Sequence, residues 1–237
     1  MDGYSYYNIF DTKGIEYLVI IAFLLLLIPF WLILNKQTTI RERIRKVVGV
    51  LKINMSRVPQ GIFHSKNHTW AHLERSGIAR IGLDDLLLHI TGEVKVNYLK
   101  NPGEPIQKGD LLAEIDQDGR KLKVFSPVSG NIVKPNPELS LNHDLLYQDP
   151  YGKGWIYSIK PTHWVEEIAS CFLAEEATGF LTNELVRYKD FLAHNASKYS
   201  PEASLAIMQD GGELAENSLS GLPDEFWQDF QKEFLNP

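Results

Sequence analysis

The stretch Ile115–Val133, IDQDGRKLKVFSPVSGNIV, dictates more local geometry than any other part of this chain. Two β-rich runs, Leu111–Asp116 and Lys121–Phe125, flank Asp118-Gly119. That dipeptide suits a two-residue type I′ turn, whose central residues both need positive φ. On the return run Leu122 and Val124 alternate with Lys121 and Lys123, which gives the strand one apolar and one solvated face. A second turn, Ser126-Pro127-Val128-Ser129-Gly130, leads into Asn131–Val133. A hairpin of two strands, followed by a third strand after the second turn, is therefore expected here.

The surrounding sequence repeats the pattern of short alternating runs punctuated by Gly, Pro and Asn. It predicts strands at Thr69–Glu74, Ile78–Gly82, Val94–Tyr98, Asn131–Lys134 and Trp155–Lys160. Asp84 or Asp85 can cap a helix through His89, which Gly92 ends. The fold class is α+β with strands dominant, and the aromatic residues Trp70, Tyr151 and Trp155 are candidates to fill a thin core.

Several motifs stand in one order over about a hundred residues: His68-Thr69-Trp70, Gly82-Leu83-Asp84-Asp85, Gly92, Pro102-Gly103, Lys108-Gly109-Asp110, the S-P-V-S-G turn, and Asp149-Pro150-Tyr151-Gly152-Lys153-Gly154-Trp155-Ile156. Together they resemble the glycine cleavage H protein, within the lipoyl-domain superfamily. The resemblance implies a lipoyl-domain-like flattened β-barrel: two small antiparallel sheets in a barrel-sandwich hybrid, with flanking helices. In that family a lysine at the hairpin tip, seven residues before the S/A-P-V-S-G turn, carries the lipoyl group. Here that position is Gly119, and the aligned tip reads Asp116-Gln117-Asp118-Gly119-Arg120.

Two readings of that substitution stand side by side. In the first the lipoyl site is lost, no cofactor is carried, and the module serves as a non-catalytic scaffold or accessory subunit of a membrane-associated, redox-type complex. In the second Lys121 or Lys123, on the returning strand, carries the lipoyl group instead. A third reading, the membrane-fusion adaptor of an export system, also sets a lipoyl-like barrel behind a membrane helix. It calls for long coiled-coil hairpins, and the chain has no heptad run to supply them.

Tyr17–Leu34, YLVIIAFLLLLIPFWLIL, contains no charge. At 1.5 Å per residue, residues 15–34 would span roughly 30 Å, the hydrocarbon thickness of a bilayer. Tyr17 and Trp31 suit the interfacial belts. Lys36, Arg41, Arg43, Arg45 and Lys46 follow at once, so the positive-inside rule puts that flank in the cytoplasm and the N-terminus outside. The expected organisation is a short outer N-terminus (1–14), a single inner-membrane span contacting lipid (15–34), a basic connector (35–56), a cytoplasmic barrel domain (57–161), a helical extension (162–194) and an acidic tail (195–237).

Composition excludes several classes. A single cysteine, Cys171, rules out a disulfide framework or a Cys-rich cluster. Net charge is −6, and eight acids against Lys232 alone after residue 200 leave the rest of the chain close to neutral, so nothing suggests the basic face that nucleic-acid binding needs. No set of residues suits catalysis: Ser126 and Ser129 sit in a turn without a base, and no small-molecule substrate is expected. His64, His68 and His72 share a four-residue spacing, but they fall in loop and strand, and no metal centre is expected from them.

After Thr162 helical period takes over, first at Trp164, Ile168, Phe172 and Leu173, then at Leu181, Leu185, Tyr188 and Leu192. Gly211-Gly212 and Ser218–Gly221 read as linker. The end, from Pro223 to Leu235, is an amphipathic helix with Phe226, Phe230 and Phe234 on one side and Trp227 beside them. Those aromatics are candidates for docking on a protein partner or for folding back onto their own domain.

Overall fold

A computed structural model describes residues 17–31, 58–199 and 216–236, which fall in two compact units, 1–49 and 50–237. In the first unit residues 17–31 form a helix, α1, whose large apolar side chains from Tyr17 to Trp31 are all exposed. Among the described residues no helix is long and apolar enough to cross a membrane. The ends of the expected span, the N-terminus, the connector at 35–56 and Gly211-Gly212 lie outside the described residues.

The second unit contains two antiparallel sheets. A seven-stranded sheet runs β10–β1–β2–β3–β9–β8–β5, built from β1 (Phe63–His64), β2 (Thr69–Leu73), β3 (Ala79–Leu83), β5 (Pro105–Ile106), β8 (Gly130–Pro135), β9 (Tyr157–Pro161) and β10 (Phe172–Leu173). A three-stranded sheet runs β4–β6–β7, from β4 (Lys95–Tyr98), β6 (Leu111–Gln117) and β7 (Arg120–Phe125). All the expected strands form. The added strands, β1, β5 and β10, are two residues each, too short to leave a periodic signal.

The core sits between the sheets. Ile81, Ile115, Leu122, Val128, Ile132, Tyr157 and Ile159 are at most 2 % exposed. In β7 the alternation of the sequence is realised: Leu122 and Val124 point inward while Lys121 and Lys123 point to solvent. Trp70 is fully buried and its Nε1 donates to the Leu83 carbonyl at 2.8 Å, so its one polar atom is satisfied inside the core. Trp155 departs from expectation. It lies half-buried, with Arg80 5.5 Å and Lys134 5.9 Å from its ring centroid, and it faces cations instead of filling the core.

The helix α2 (Asp85–Thr91) begins as its cap residue dictates. The Asp84 carboxylate accepts from Leu87 N at 2.8 Å, and Gly92, with φ of 81°, ends the helix. Two short helices, α3 (Pro137–Leu141) and α4 (Leu145–Gln148), fill the stretch before β9.

Two expectations for the C-terminal part need correction. The periodic set Trp164, Ile168, Phe172, Leu173 is not one helix: α5 (Trp164–Ile168) stops, and Phe172–Leu173 pairs with Phe63–His64 as β10. Pairing with β1 overrides the helical period there, and Ala174 at φ 50° turns the chain into α6 (Glu175–Tyr199). Ser218–Gly221 is no open linker either. Leu219 is fully buried and Ser218 Oγ lies 3.0 Å from the Tyr188 hydroxyl.

The aromatic end takes the second of the two alternatives open to it, folding back onto its own domain. The helix α7 (Asp224–Phe230) continues into a π-helical turn, Gln231–Leu235, and the whole segment packs on its own domain. Phe226, Trp227, Phe230 and Phe234 are at most 3 % exposed, so as they stand none can dock on another protein. The rings of Phe226, Phe230 and Phe234 meet Tyr188 or Phe191 of α6, with centroids 4.9 Å apart for Phe191 and Phe226 and 5.7 Å for Tyr188 and Phe230. Burying each such side chain stabilises by roughly 1.5–3 kcal/mol, and four of them far outweigh what an exposed helix this short could gain alone.

Candidate functional site

The hairpin joining β6 to β7 is the centre of interest. Gln117 pairs with Arg120 across a two-residue turn in which Asp118 has φ 52° and Gly119 has φ 89°. Both central residues are thus left-handed, the type I′ geometry that the Asp-Gly pair favours. Gly119 N donates to Asp116 Oδ1 at 3.0 Å, which tightens the turn further. A Cβ at Gly119 would meet open space, so the tip is crowded by nothing within 4 Å.

The two lysines differ in their surroundings. Lys121 pairs across the strands with Asp116, one step along from the turn, and its Nζ lies 3.2 Å from Oε2 of Glu114. Its side chain is 54 % exposed. Lys123, two residues further from the tip and also exposed, has its main chain engaged: its N–H donates to Gln231 Oε1 at 2.6 Å. At the turn end of the same strand, Arg120 Nε donates to Asp224 Oδ1 at 3.0 Å, and the guanidinium sits 5.9 Å from the Trp227 ring centroid. The C-terminal segment therefore borders the hairpin on its β7 side, a neighbour that sequence reasoning did not foresee.

The S-P-V-S-G turn is fixed from two sides. Ser126 Oγ donates to the Val128 carbonyl at 2.6 Å, which closes the turn on itself. Ser129 gives both its N–H and its hydroxyl to the Glu167 carboxylate of α5, the N–H at 2.6 Å. Both hydroxyls are thereby committed to holding the turn. Only the fold brings Glu167 to Ser129, and no local pattern announces it.

His72 stands apart from His64 and His68. His72, on β2, has Nδ1 3.0 Å from the Gly61 carbonyl near the surface. His68 is buried, with Nδ1 2.8 Å from Asp84 Oδ2 and Nε2 3.6 Å from Glu184 Oε2. Burial works against a charge on His68, but the two carboxylates outweigh it and push its pKa up to about 9. The same contact holds Asp84 and Glu184 below the usual carboxylate range despite their burial. His64 is fully buried, neither ring nitrogen has a hydrogen-bond partner among the described residues, and burial pushes its pKa down. Among the described residues no three His, Cys, Asp or Glu side chains come together as a metal centre. Cys171 is half-buried against the Glu167 carbonyl, and burial pushes its thiol up, away from a reactive thiolate.

A family profile described as "Glycine cleavage H-protein" matches residues 62–184, more than half of the chain. The chain is 30 % identical over 132 residues to the probable glycine cleavage system H protein of Pyrococcus abyssi, an alignment covering 56 % of this chain and 98 % of that one. It is 37 % identical over 107 residues to the corresponding protein of Picrophilus torridus, covering 45 % and 84 %. A crystal structure of the glycine cleavage system H protein from Mycobacterium marinum aligns with a TM-score of 0.41 and 25 % identity, over 44 % of this chain and 87 % of that one.

These matches overturn one expectation from the sequence, that no cofactor is carried, because glycine cleavage H-proteins bear lipoate on a lysine. The family profile ends at residue 184, within α6. With its two-sheet barrel, its S-P-V-S-G turn and a profile match over most of the second unit, this chain belongs to the glycine cleavage H-protein family.

Proposed function

We propose that this chain is a lipoyl carrier of the H-protein type, held at a membrane by residues 15–34, with Lys121 as its attachment point. The observation that carries the reading is the exposed Lys121 amine, on the strand that leaves the hairpin turn. Gly119 offers no amine, and Lys123 lies further down a strand whose backbone is occupied by Gln231. Attachment replaces the leaving group of an activated lipoyl donor, an acyl adenylate or thioester, by Lys121 Nζ. One amide bond forms, the adenylate or thiol departs and one proton leaves the amine. A lipoyl group supplies a disulfide that cycles with a dithiol. Glu114, 3.2 Å from the amine, orients the lysine along the strand face. The partners are then other components of a glycine-cleavage-type system, which act on the carried group while this chain contributes no catalysis.

The membrane part rests on the uniformly apolar run 15–34 and on the exposure of every large apolar side chain from Tyr17 to Trp31 in α1. Left in water, such a surface carries an unfavourable hydration of roughly 25 cal/mol per Å². The basic flank after residue 34 orients the domain toward the cytoplasm.

Intact-mass analysis and peptide mapping of the protein from its native host test the carrier. A lipoyl increment on the peptide holding Lys121, absent in Lys121→Arg, is the expected result. An unmodified Lys121 in cells whose other H-proteins are lipoylated overturns it. Sedimentation with membranes after alkaline carbonate washing tests the anchor, and release into the supernatant overturns that part.

A second reading is favoured by the Asp118-Gly119 turn, which displays no side chain long enough to carry a group. In it the barrel serves as a membrane-held scaffold that binds system components through its surface. Co-purification of such components with a Lys121→Arg, Lys123→Arg chain, undiminished relative to the unsubstituted protein, selects that reading over the carrier.

A further inference from the structure

The strand β7 is an edge of the three-stranded sheet, with β6 on one side only. In a two-residue hairpin the pair closing the turn, here Gln117 and Arg120, is hydrogen-bonded, and so are alternate pairs beyond it. The N–H and C=O groups of Lys121 and Lys123 consequently point away from β6. An open row of this kind is a template for another chain's strand, one of the commonest ways a sheet recruits a peptide.

The Gln231 carboxamide engages that row. Its Oε1 accepts from Lys123 N at 2.6 Å and its Nε2 donates to the Lys123 carbonyl at 3.5 Å, the same acceptor and donor that a neighbouring strand would present. Asp224 ties Arg120 at the turn end of the strand. The aromatic side chains beneath, Phe226, Trp227, Phe230 and Phe234, are buried and keep the segment seated. Its other end meets a second set of open backbone groups. Asn217 N and Leu219 N donate to the carbonyls of His89 and Ile90, in the last turn of α2, at 2.8 and 3.1 Å. The capping residues themselves lie beyond residue 184, where the family profile stops.

We propose that residues 216–236 are a built-in edge cap, which takes the place of a partner's strand beside β7 so that partners read the lysine-bearing hairpin through its turn and side chains and not by strand addition. The cap deepens the carrier reading and rests on it for the class of partner. Its geometry is independent of any attached group.

Amide hydrogen exchange followed by NMR on the full chain in detergent micelles tests it. The Lys123 amide is expected to exchange on the order of tenfold more slowly than the Lys121 amide, the protection one retained hydrogen bond confers. Gln231→Ala abolishes that difference while Leu122 and Val124, bonded to β6, keep theirs. Gln231→Glu retains an acceptor for Lys123 N–H and keeps the protection. Equal exchange at Lys121 and Lys123 in the unsubstituted chain, or a slow Lys123 in Gln231→Ala, overturns the cap. Because exchange is read without lipoate, an unmodified Lys121 sinks the carrier and leaves this result standing. A fast Lys123 does the reverse.

Discussion

The His68 imidazolium donates from Nδ1 to Asp84 Oδ2 at 2.8 Å, with both side chains at most 2 % exposed. Asp84 is also the cap of α2, and Glu184 of α6 approaches the other ring nitrogen, so one charge ties the first strands to two helices. Arg187, 2.9 Å from Glu184 Oε2, and His64, held below its ordinary pKa by burial and acting electrostatically on both members of the pair, complete the titratable surroundings. Removing one partner of such a buried pair leaves the other uncompensated. His68→Leu is therefore expected to destabilise the domain by about 3–5 kcal/mol in denaturant titrations.

The same pair sets a pH dependence with a definite sign. His68 binds its proton more tightly folded, at about 9, than the ordinary 6.5 of an unfolded chain. Its contribution is full below about pH 6.5 and fades as pH rises through 9. Asp84 and Glu184 are held low, so their contribution is full above their ordinary values, near pH 4, and fades on acidification. Denaturant titrations from pH 6 to 9.5 are expected to show falling stability in the native sequence and a flatter profile in His68→Leu. Equal slopes in the two proteins contradict this account.

Gly82→Ala tests how closely β2 and β3 approach. A Cβ at Gly82 would stand 2.4–2.7 Å from the Trp70 indole, a ring that is fully buried and held by its bond to the Leu83 carbonyl. The ring has no room to retreat, and overpacking of this kind costs about 1–3 kcal/mol. Thermal unfolding should show a lowered midpoint, together with a change in the near-ultraviolet signal of Trp70.

Phe230→Ala tests the seating of the C-terminal segment. Phe230 is fully buried between Tyr188, Phe191 and Phe234. Its truncation leaves a cavity in an aromatic cluster and is expected to cost about 3–5 kcal/mol. If the segment instead leaves its site as a unit, limited proteolysis will cut near residue 216 before the barrel unfolds.

Where sequence and structure agree, the cause is local. Leu122 and Val124 alternate with lysines, Asp118-Gly119 has one good turn geometry, and Asp84 stands at a helix start, so the hairpin and α2 are legible residue by residue. Glu167 at Ser129, Glu184 at His68 and Gln231 at Lys123 are separated in sequence by 38, 116 and 108 positions, and no periodicity reports such meetings. Phe172 and Leu173 had the right spacing for a helix. The two-residue pairing with β1 and the stacking of Phe172 on Phe180, centroids 4.5 Å apart, decided otherwise. The tail aromatics were legible as one face, and only the groove beside α6 settled what that face covers.

Gly119→Lys asks whether the hairpin still presents its tip as the family does. The position is the one seven residues before Ser126, and a side chain there meets nothing within 4 Å. A left-handed φ of 89° makes a non-glycine residue pay about 1–2 kcal/mol, which a domain of this core can absorb. Incubated with a lipoate–protein ligase, lipoate and ATP, the substituted chain is expected to gain a lipoyl increment that maps to residue 119. Competition with Lys121 then follows from position: the tip amine stands clear of the strand, whereas Lys121 is drawn to Glu114. A chain that stays unmodified at 119 while a relative with the usual tip lysine is charged in the same tube shows that the ligase reads more than a lysine on this scaffold. The difference would then lie in Arg120 and the segment bound to it, which border the turn on the β7 side.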